Sequence, residues 1–211
     1  MSLTSKIFAR DFLKKLGNYA VLSLFLFMII HLLPGIGTFS PQIPLAREQQ
    51  GGHPMNLTIT SSAFSHGQEI PSRFTCDGGD ISPPLNFDGQ PSGTKSLALI
   101  VDDPDAPDPK APRMTWVHWV LYNIPVAVNG LPEGGSKALP AGILEGMNDW
   151  RRTGYGGPCP PIGRHRYFHK LYALDIVLPE LGRPDKARLE KEMQGHVIEK
   201  AELVGTYERS R

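Results

Sequence analysis

Two blocks of this chain concentrate side chains able to bind small polar groups or move protons. The first runs from Asp103-Pro104-Asp105-Ala106-Pro107 to Trp116 and His118; the second, Gly154 to Tyr167, reads GYGGPCPPIGRHRY. Two carboxylates, two imidazoles, a phenol and an indole N–H, folded into one place, would hold a small anion by hydrogen bonds. In the first block each proline fixes its own φ and pushes the preceding residue toward extended backbone, so Asp103 and Asp105 stand on a stiff support. In the second, a loop rich in Gly and Pro could present backbone N–H groups at Gly156, Gly157 and Cys159, directly ahead of Arg164-His165-Arg166-Tyr167. A blander reading also stands: aspartates that cap turns and a strand histidine satisfied in a core.

The elements that must position these residues are mostly strands. Residues 116–124 (WVHWVLYNI) are aromatic and β-branched, and strict alternation there would put Trp116 and His118 on one face and Val117 and Trp119 on the other. Residues 56–60, 95–101 and 167–177 read as further strands, separated by turn signals at Asp77-Gly78-Gly79, Pro83-Pro84, residues 130–135 and residues 154–163. One helix is expected, over residues 184–200, with apolar Leu189, Met193, Val197 and Ile198 and a break offered by Gly195; residues 201–207 read as a final strand. The 20 prolines and 22 glycines among 211 residues agree with a mainly β domain rich in turns.

Ahead of this domain the composition changes. Lys6, Arg10, Lys14 and Lys15 stand against the single acid Asp11, and residues 19–33 (YAVLSLFLFMIIHLL) are almost wholly apolar up to Pro34-Gly35. This is the pattern of an export signal or, if uncleaved, an N-terminal membrane anchor with its basic flank in the cytoplasm. Residues 1–36 are therefore read as signal peptide or anchor, 37–54 as a Pro/Gly-rich linker and 55–211 as the domain. The location expected is outside the cytoplasm: periplasmic, extracellular, or held on the outer side of the inner membrane, with the membrane touched only by the N-terminal segment. Ala46 is a weak cleavage candidate, and no Cys follows the apolar run to carry a lipid. Taking the four basic residues and one acid of residues 1–46 from the chain's 22 and 21 leaves a formal balance of −2, which speaks against nucleic acid as a partner.

Read together, DPDAP at 103–107, the W-x-H of Trp116 and His118, GYGGPCPP and HRY, with FTCDGGDISPPL at 74–85 and LYALD at 171–175, resemble the phosphatidylethanolamine-binding protein family in its bacterial and archaeal Raf-kinase-inhibitor-like branch. The resemblance covers residues 56–208. It implies a β-fold of two sheets with few peripheral helices and a small anion-binding pocket at one end. It also implies that the pocket is built from Asp103, Asp105, Pro107, Trp116, His118, Gly157, Pro158, His165 and Tyr167; no cofactor, metal or catalysis is expected there.

The expected ligand is a small phosphate-type anion or phospholipid headgroup. Because the carboxylates would repel it, protonated or donor-presenting histidine would supply the affinity, weakening as pH rises through the histidine range near about 6.5. Three other classes compete with this reading. A hydrolase lacks a G-x-S-x-G elbow and a Ser or Cys with an evident base. A metal site from His118, His165 and Asp105 has no recognised ligand spacing. A protein-interaction or inhibitor module working through the pocket rim is not separated from ligand binding by the sequence. Cys76 and Cys159, the two cysteines present, could form one disulfide in an oxidising compartment or stay as buried thiols. The DPKAP run at 108–112 with Arg113 reads as solvated loop, Trp116, Trp119 and Trp150 as largely packing, and His66, His169 and His196 as surface or core residues.

Overall fold

The computed structural model describes residues 56–209; the leader and linker expected over residues 1–54 lie outside them. Alternating burial explains why the short strands β1 (Thr58–Thr60), β2 (Leu85–Asp88) and β5 (Gly130–Leu131) form a three-stranded sheet in the order β1-β2-β5, since each buries one face and leaves the other wet. The second sheet is larger and antiparallel: β6 (Leu144–Glu145), β4 (Trp116–Ile124), β3 (Ser96–Asp103), β7 (His165–Leu174) and β8 (Val197–Tyr207), in that order. Central β3 is buried along its whole length, because both its faces are covered.

Between the sheets, Ile59, Phe87, Leu97, Leu99, Val101, Trp119, Tyr167 and Leu171 join one apolar core. On the outer face of the larger sheet, Ala98, Ile100, Val117, Val120 and Tyr122 pack against Leu189 and Met193 of α1 (Lys186–Met193). The mainly β, two-sheet architecture with a single α-helix among the described residues is the one expected. The helix itself is shorter than residues 184–200. Asp185 caps its start by accepting from the Arg188 N–H, and after Met193 the chain turns through Gly195 at φ +82° into β8. Val197 and Ile198 therefore begin the last strand, half exposed, rather than completing an apolar helical face.

A second correction concerns β4. Val101 pairs with Trp119 and Asp102 with Val117, so β4 carries one extra residue, His118, opposite that single step of β3. Such a bulge breaks the two-residue alternation. Val117 then belongs to the outer core and Trp119 to the inner one, while His118 packs edge-on to inner-core Tyr167, ring centroids 5.2 Å apart. His118 and Trp119 thus share the inner face, where strict alternation would have separated them.

Candidate functional site

Asp103 ends β3, Trp116 begins β4 and His165 begins β7, so the antiparallel pairing delivers all three to one end of the larger sheet. Loop residues close over them. The Ala106 carbonyl accepts from the N–H groups of Arg113 and Met114, folding the loop back so that Ala106, Pro107 and Met114 lie together; the Ala106–Pro107 peptide is cis. The 154–161 loop is tied down on both sides. The Gly156 N–H donates to the His118 carbonyl, the Tyr155 hydroxyl to the Phe74 carbonyl, and Cys159 is disulfide-bonded to Cys76, Cα atoms 5.4 Å apart.

The result is a cleft of about 340 Å³, walled by Ala106, Pro107, Met114, Trp116, Trp150, Cys159, Pro160 and Pro161 and carrying Asp103, His118, His165 and Tyr167 as its polar members. Mostly apolar walls with a few convergent polar groups are what small-ligand pockets generally show.

Among the expected site residues, Asp103, Pro107, Trp116, His118, His165 and Tyr167 line this cleft; Asp105, Gly157 and Pro158 do not. Asp105 turns aside, its carboxylate accepting two bonds from the Arg166 guanidinium, at 2.9 and 2.7 Å, and one from the Arg166 backbone N–H. The guanidinium beside it holds the Asp105 carboxyl below the usual range despite burial. The backbone donors expected from the second block are also engaged elsewhere. Gly156 N–H meets the His118 carbonyl, and Gly157 N–H meets Asp80 Oδ1 at 2.6 Å. Both positions require glycine for closeness: a Cβ on Gly157 would lie 2.5 Å from the Phe74 carbonyl oxygen, and one on Gly156 would lie 2.4 Å from the Trp150 ring.

Trp150 is a site residue that reading the sequence as packing missed. It stands edge-on to both His118 and Trp116, with centroids 5.1 and 5.4 Å away. Asn148 sets it there, its side-chain oxygen accepting from the Trp150 and Arg152 N–H groups. No spacing links position 150 to the two blocks. Met114, by contrast, continues the two-residue step back from Trp116 and His118, a signal that was present.

The polar members divide into satisfied and unsatisfied. The Asp103 carboxylate takes the Asp105 N–H on Oδ1 at 2.8 Å and meets His165 Nδ1 with Oδ2 at 2.7 Å, while His165 Nε2 donates to the Ile162 carbonyl at 3.0 Å. Burial pushes the Asp103 carboxyl above its ordinary range, against the opposing pull of the His165 bond. His118 Nδ1 donates to the Gly156 carbonyl at 2.7 Å, but its Nε2 has no partner, nor has the Tyr167 hydroxyl. Burial lowers the His118 pKa to about 4, so of the two expected roles, protonated or donor-presenting, the first does not hold for His118 at pH 7, and its Nδ1 is already given to Gly156. Burial likewise drives the Tyr167 phenol well above its usual range, keeping it an O–H donor. Among the described residues, no group of three His, Cys, Asp or Glu side chains is arranged to hold a metal ion.

Comparison with known proteins agrees with this geometry. The family model for phosphatidylethanolamine-binding protein matches residues 60–208. A UPF0098 protein of Methanothermobacter thermautotrophicus is 49% identical over 155 residues, covering 72% of this chain and 99% of that one, and another from Chlamydia muridarum is 45% identical over 153, covering 72% and 99%. Among solved structures, the phosphatidylethanolamine-binding protein homolog CT736 of Chlamydia trachomatis superposes with a TM-score of 0.68 at 42% identity, covering 74% of this chain and 99% of that one. Escherichia coli YbcL, described as a member of the mammalian family, superposes with a TM-score of 0.67 at 32% identity and the same coverage. Since the match runs through both blocks that build the cleft as well as the strands that carry them, the chain belongs to the phosphatidylethanolamine-binding protein family.

Proposed function

We propose that the domain binds a small anionic, phosphate-type ligand or headgroup in this cleft and carries out no covalent chemistry on it. One observation carries the reading: His118 Nε2 and the Tyr167 hydroxyl, on two residues lining the cleft, are buried without a partner. An unpaired buried polar group costs about 1 to 3 kcal/mol, which a ligand supplying the missing bonds removes. The cleft is near the small end of ligand pockets, suited to a headgroup rather than a whole lipid. Against a nucleophilic mechanism stand the engagement of Cys159 in a disulfide and of Asp103 and His165 with each other.

The test is NMR titration of phosphate, phosphoethanolamine and acetate into wild type, His118→Ala and His165→Ala. Shifts confined to the two blocks, with affinity reduced about tenfold or more in His118→Ala, are expected. Shifts elsewhere, or binding indifferent to both substitutions, would remove the site; turnover of a ligand, lost in the same variants, would make this an enzyme.

The domain is further proposed to work outside the cytoplasm, delivered or anchored by residues 1–36. The Cys76–Cys159 disulfide supports that placement, since such bonds persist in oxidising compartments. An alkaline phosphatase fused after Pro54 should be active; an inactive fusion would place the domain inside.

A protein-interaction reading has one observation in its favour: Met114 and Trp150, which line the cleft, and Ile162, next to Pro161, are all exposed large apolar side chains. Capture of a partner lost in a Met114→Lys/Ile162→Lys variant but kept in His118→Ala would assign the rim rather than the cleft.

A further inference from the structure

We infer that β8 carries a docking edge for a second copy of this chain: two molecules pair their β8 strands antiparallel about a two-fold axis at Ala201, joining their larger sheets into one.

β8 is the last strand of the larger sheet, so one of its edges has no strand beside it. In an antiparallel ladder the backbone groups point alternately to the two sides, and the register with β7 is unbroken from Glu199 to Tyr207. Three bonds fix which residues face outward. The Ile70 N–H donates to the Thr206 carbonyl, the Thr206 N–H to the Gln68 carbonyl and the Gly67 N–H to the Val204 carbonyl, all on the side away from β7. By the two-residue step, Glu202 and Lys200 also turn their N–H and C=O groups outward, and among the described residues no backbone bond is made to either from that side. A free edge of this kind is a template for pairing with another chain.

Both ends of the open stretch are closed. Residues 67–70 cover the edge from Val204 onward, where the Val204 N–H also donates to His66 Nδ1 at 3.4 Å, and at the other end a register shift interrupts the ladder at Val197 and Ile198. Lys200 and Glu202 are thus a short window, and its length sets the partner's register. A two-fold axis perpendicular to the sheet keeps each residue on its own face, so opposed residues must share a face and the axis falls on a residue rather than between two. An axis at Lys200 would oppose that lysine to itself and set Glu202 against the other copy's bulge. An axis at Glu202 would oppose two carboxylates and set Lys200 against the other copy's closed end. Only an axis at Ala201 places Lys200 of each copy opposite Glu202 of the other, bonding every outward group of the window and matching opposite charges twice. The pair on the axis, where side chains come closest, is then alanine with alanine.

An edge lysine ordinarily guards against pairing, because nothing on the incoming strand answers it. Here Glu202 answers it. The two side chains already meet within one copy at 2.6 Å, both partly exposed, so pairing only exchanges their partners. Val197 and Ile198, 43% and 41% exposed, flank the window with apolar surface. None of these residues lines the cleft, so the docking edge stands apart from the anion-binding reading.

Ala201→Cys in the full-length chain tests the geometry, since a non-hydrogen-bonded antiparallel pair holds its Cα atoms about 4.5 Å apart, within disulfide reach. Mild oxidation should give a covalent dimer on a non-reducing gel, in far greater yield than Glu199→Cys, which lies off the axis. Lys200→Glu or Glu202→Lys, added to Ala201→Cys, should each cut that yield about tenfold. Mixing the two charge-reversed proteins should restore it, because each strand then meets its opposite charge. Equal yields from Ala201→Cys and Glu199→Cys, a yield indifferent to charge reversal, or reversed proteins that stay apart when mixed would each overturn the inference. Should Ala201→Cys fail to fold, wild type decides: amide exchange at Lys200 and Glu202 should slow as protein concentration rises, and rates independent of concentration would overturn the docking edge.

Discussion

Asp102 and Asp103 are neighbours at the end of β3, both buried, and they point to opposite faces of the same sheet. Asp102 faces α1 and is met by two lysines, Lys170 of β7 at 2.7 Å and Lys186 of the helix at 2.6 Å, with Glu190 beside Lys186 at 3.8 Å. Asp103 faces the cleft and meets one histidine, His165, at 2.7 Å. Two ammonium groups on one buried carboxylate make the Asp102 cluster an electrostatic clamp joining helix to sheet. The cleft face carries no such pair of cations: its polar members are His118, His165, Asp103 and Tyr167, and of these His118 Nε2 and the Tyr167 hydroxyl stand unpartnered. The chemistry available to a ligand is thus on the side where charge is not locked, although both carboxylates come from one strand.

Acid should separate the two faces most strongly. His118 and His169 both have pKa values lowered to about 4 by burial, against about 6.5 unfolded. Between those values the unfolded chain binds protons that the folded one refuses, so stability is fully present above pH 6.5 and is lost as pH falls toward 4. Each histidine accounts for about 3 kcal/mol of that loss, and Asp103, with its raised pKa, opposes part of it. Urea unfolding at pH 7 and pH 4 measures it, and a flat profile would mean that these histidines are charged in the folded state.

Next in size is the cross-link that holds the cleft wall. Cys76 and Cys159 are separated by 83 positions, and closing so long a loop in the unfolded chain stabilises by about 4 kcal/mol in the chain-entropy account. The Cys76→Ser/Cys159→Ser variant should lose that amount in urea unfolding. It should also show faster amide exchange at Gly156 and Gly157 than wild type, with α1 unchanged. Equal loss of protection at both places would show that the two faces do not open independently.

On the other face, Asp102→Asn should cost about 3 kcal/mol, because two partly buried ammonium groups lose their counter-charge. Phosphate affinity should remain within threefold of wild type. A larger change in binding would mean that the clamp and the cleft are coupled through β3.

The smallest expected effect has the opposite sign. Tyr167→Phe removes a buried hydroxyl that has no partner, so the folded protein should become more stable by up to about 1 kcal/mol, even as ligand affinity falls. Thermal unfolding of the two proteins compares them directly, and a loss of stability would mean that the hydroxyl is already satisfied.

Local patterns along the chain were enough to determine the strand over Trp116–Ile124, the dominance of β structure and the two blocks that meet at one end of the larger sheet, because periodicity and turn chemistry are local properties. The family resemblance selected six residues that line the cleft. What only the tertiary structure decided is where each polar atom finds its partner. The bulge at His118 depends on pairing with β3, so alternation alone put Trp119 on the wrong face. Asp105 turned to Arg166, and Gly156 and Gly157 gave their N–H groups to His118 and Asp80, because a backbone donor or a carboxylate takes whatever the fold brings within 3 Å. Trp150 reached the cleft through a turn organised by Asn148, just ahead of the second block but outside its motif. The charge of His118 followed from its surroundings: burial and one carbonyl on Nδ1 made it a neutral acceptor, and neither residue type nor spacing carries the dielectric and hydrogen-bond environment that sets a protonation state.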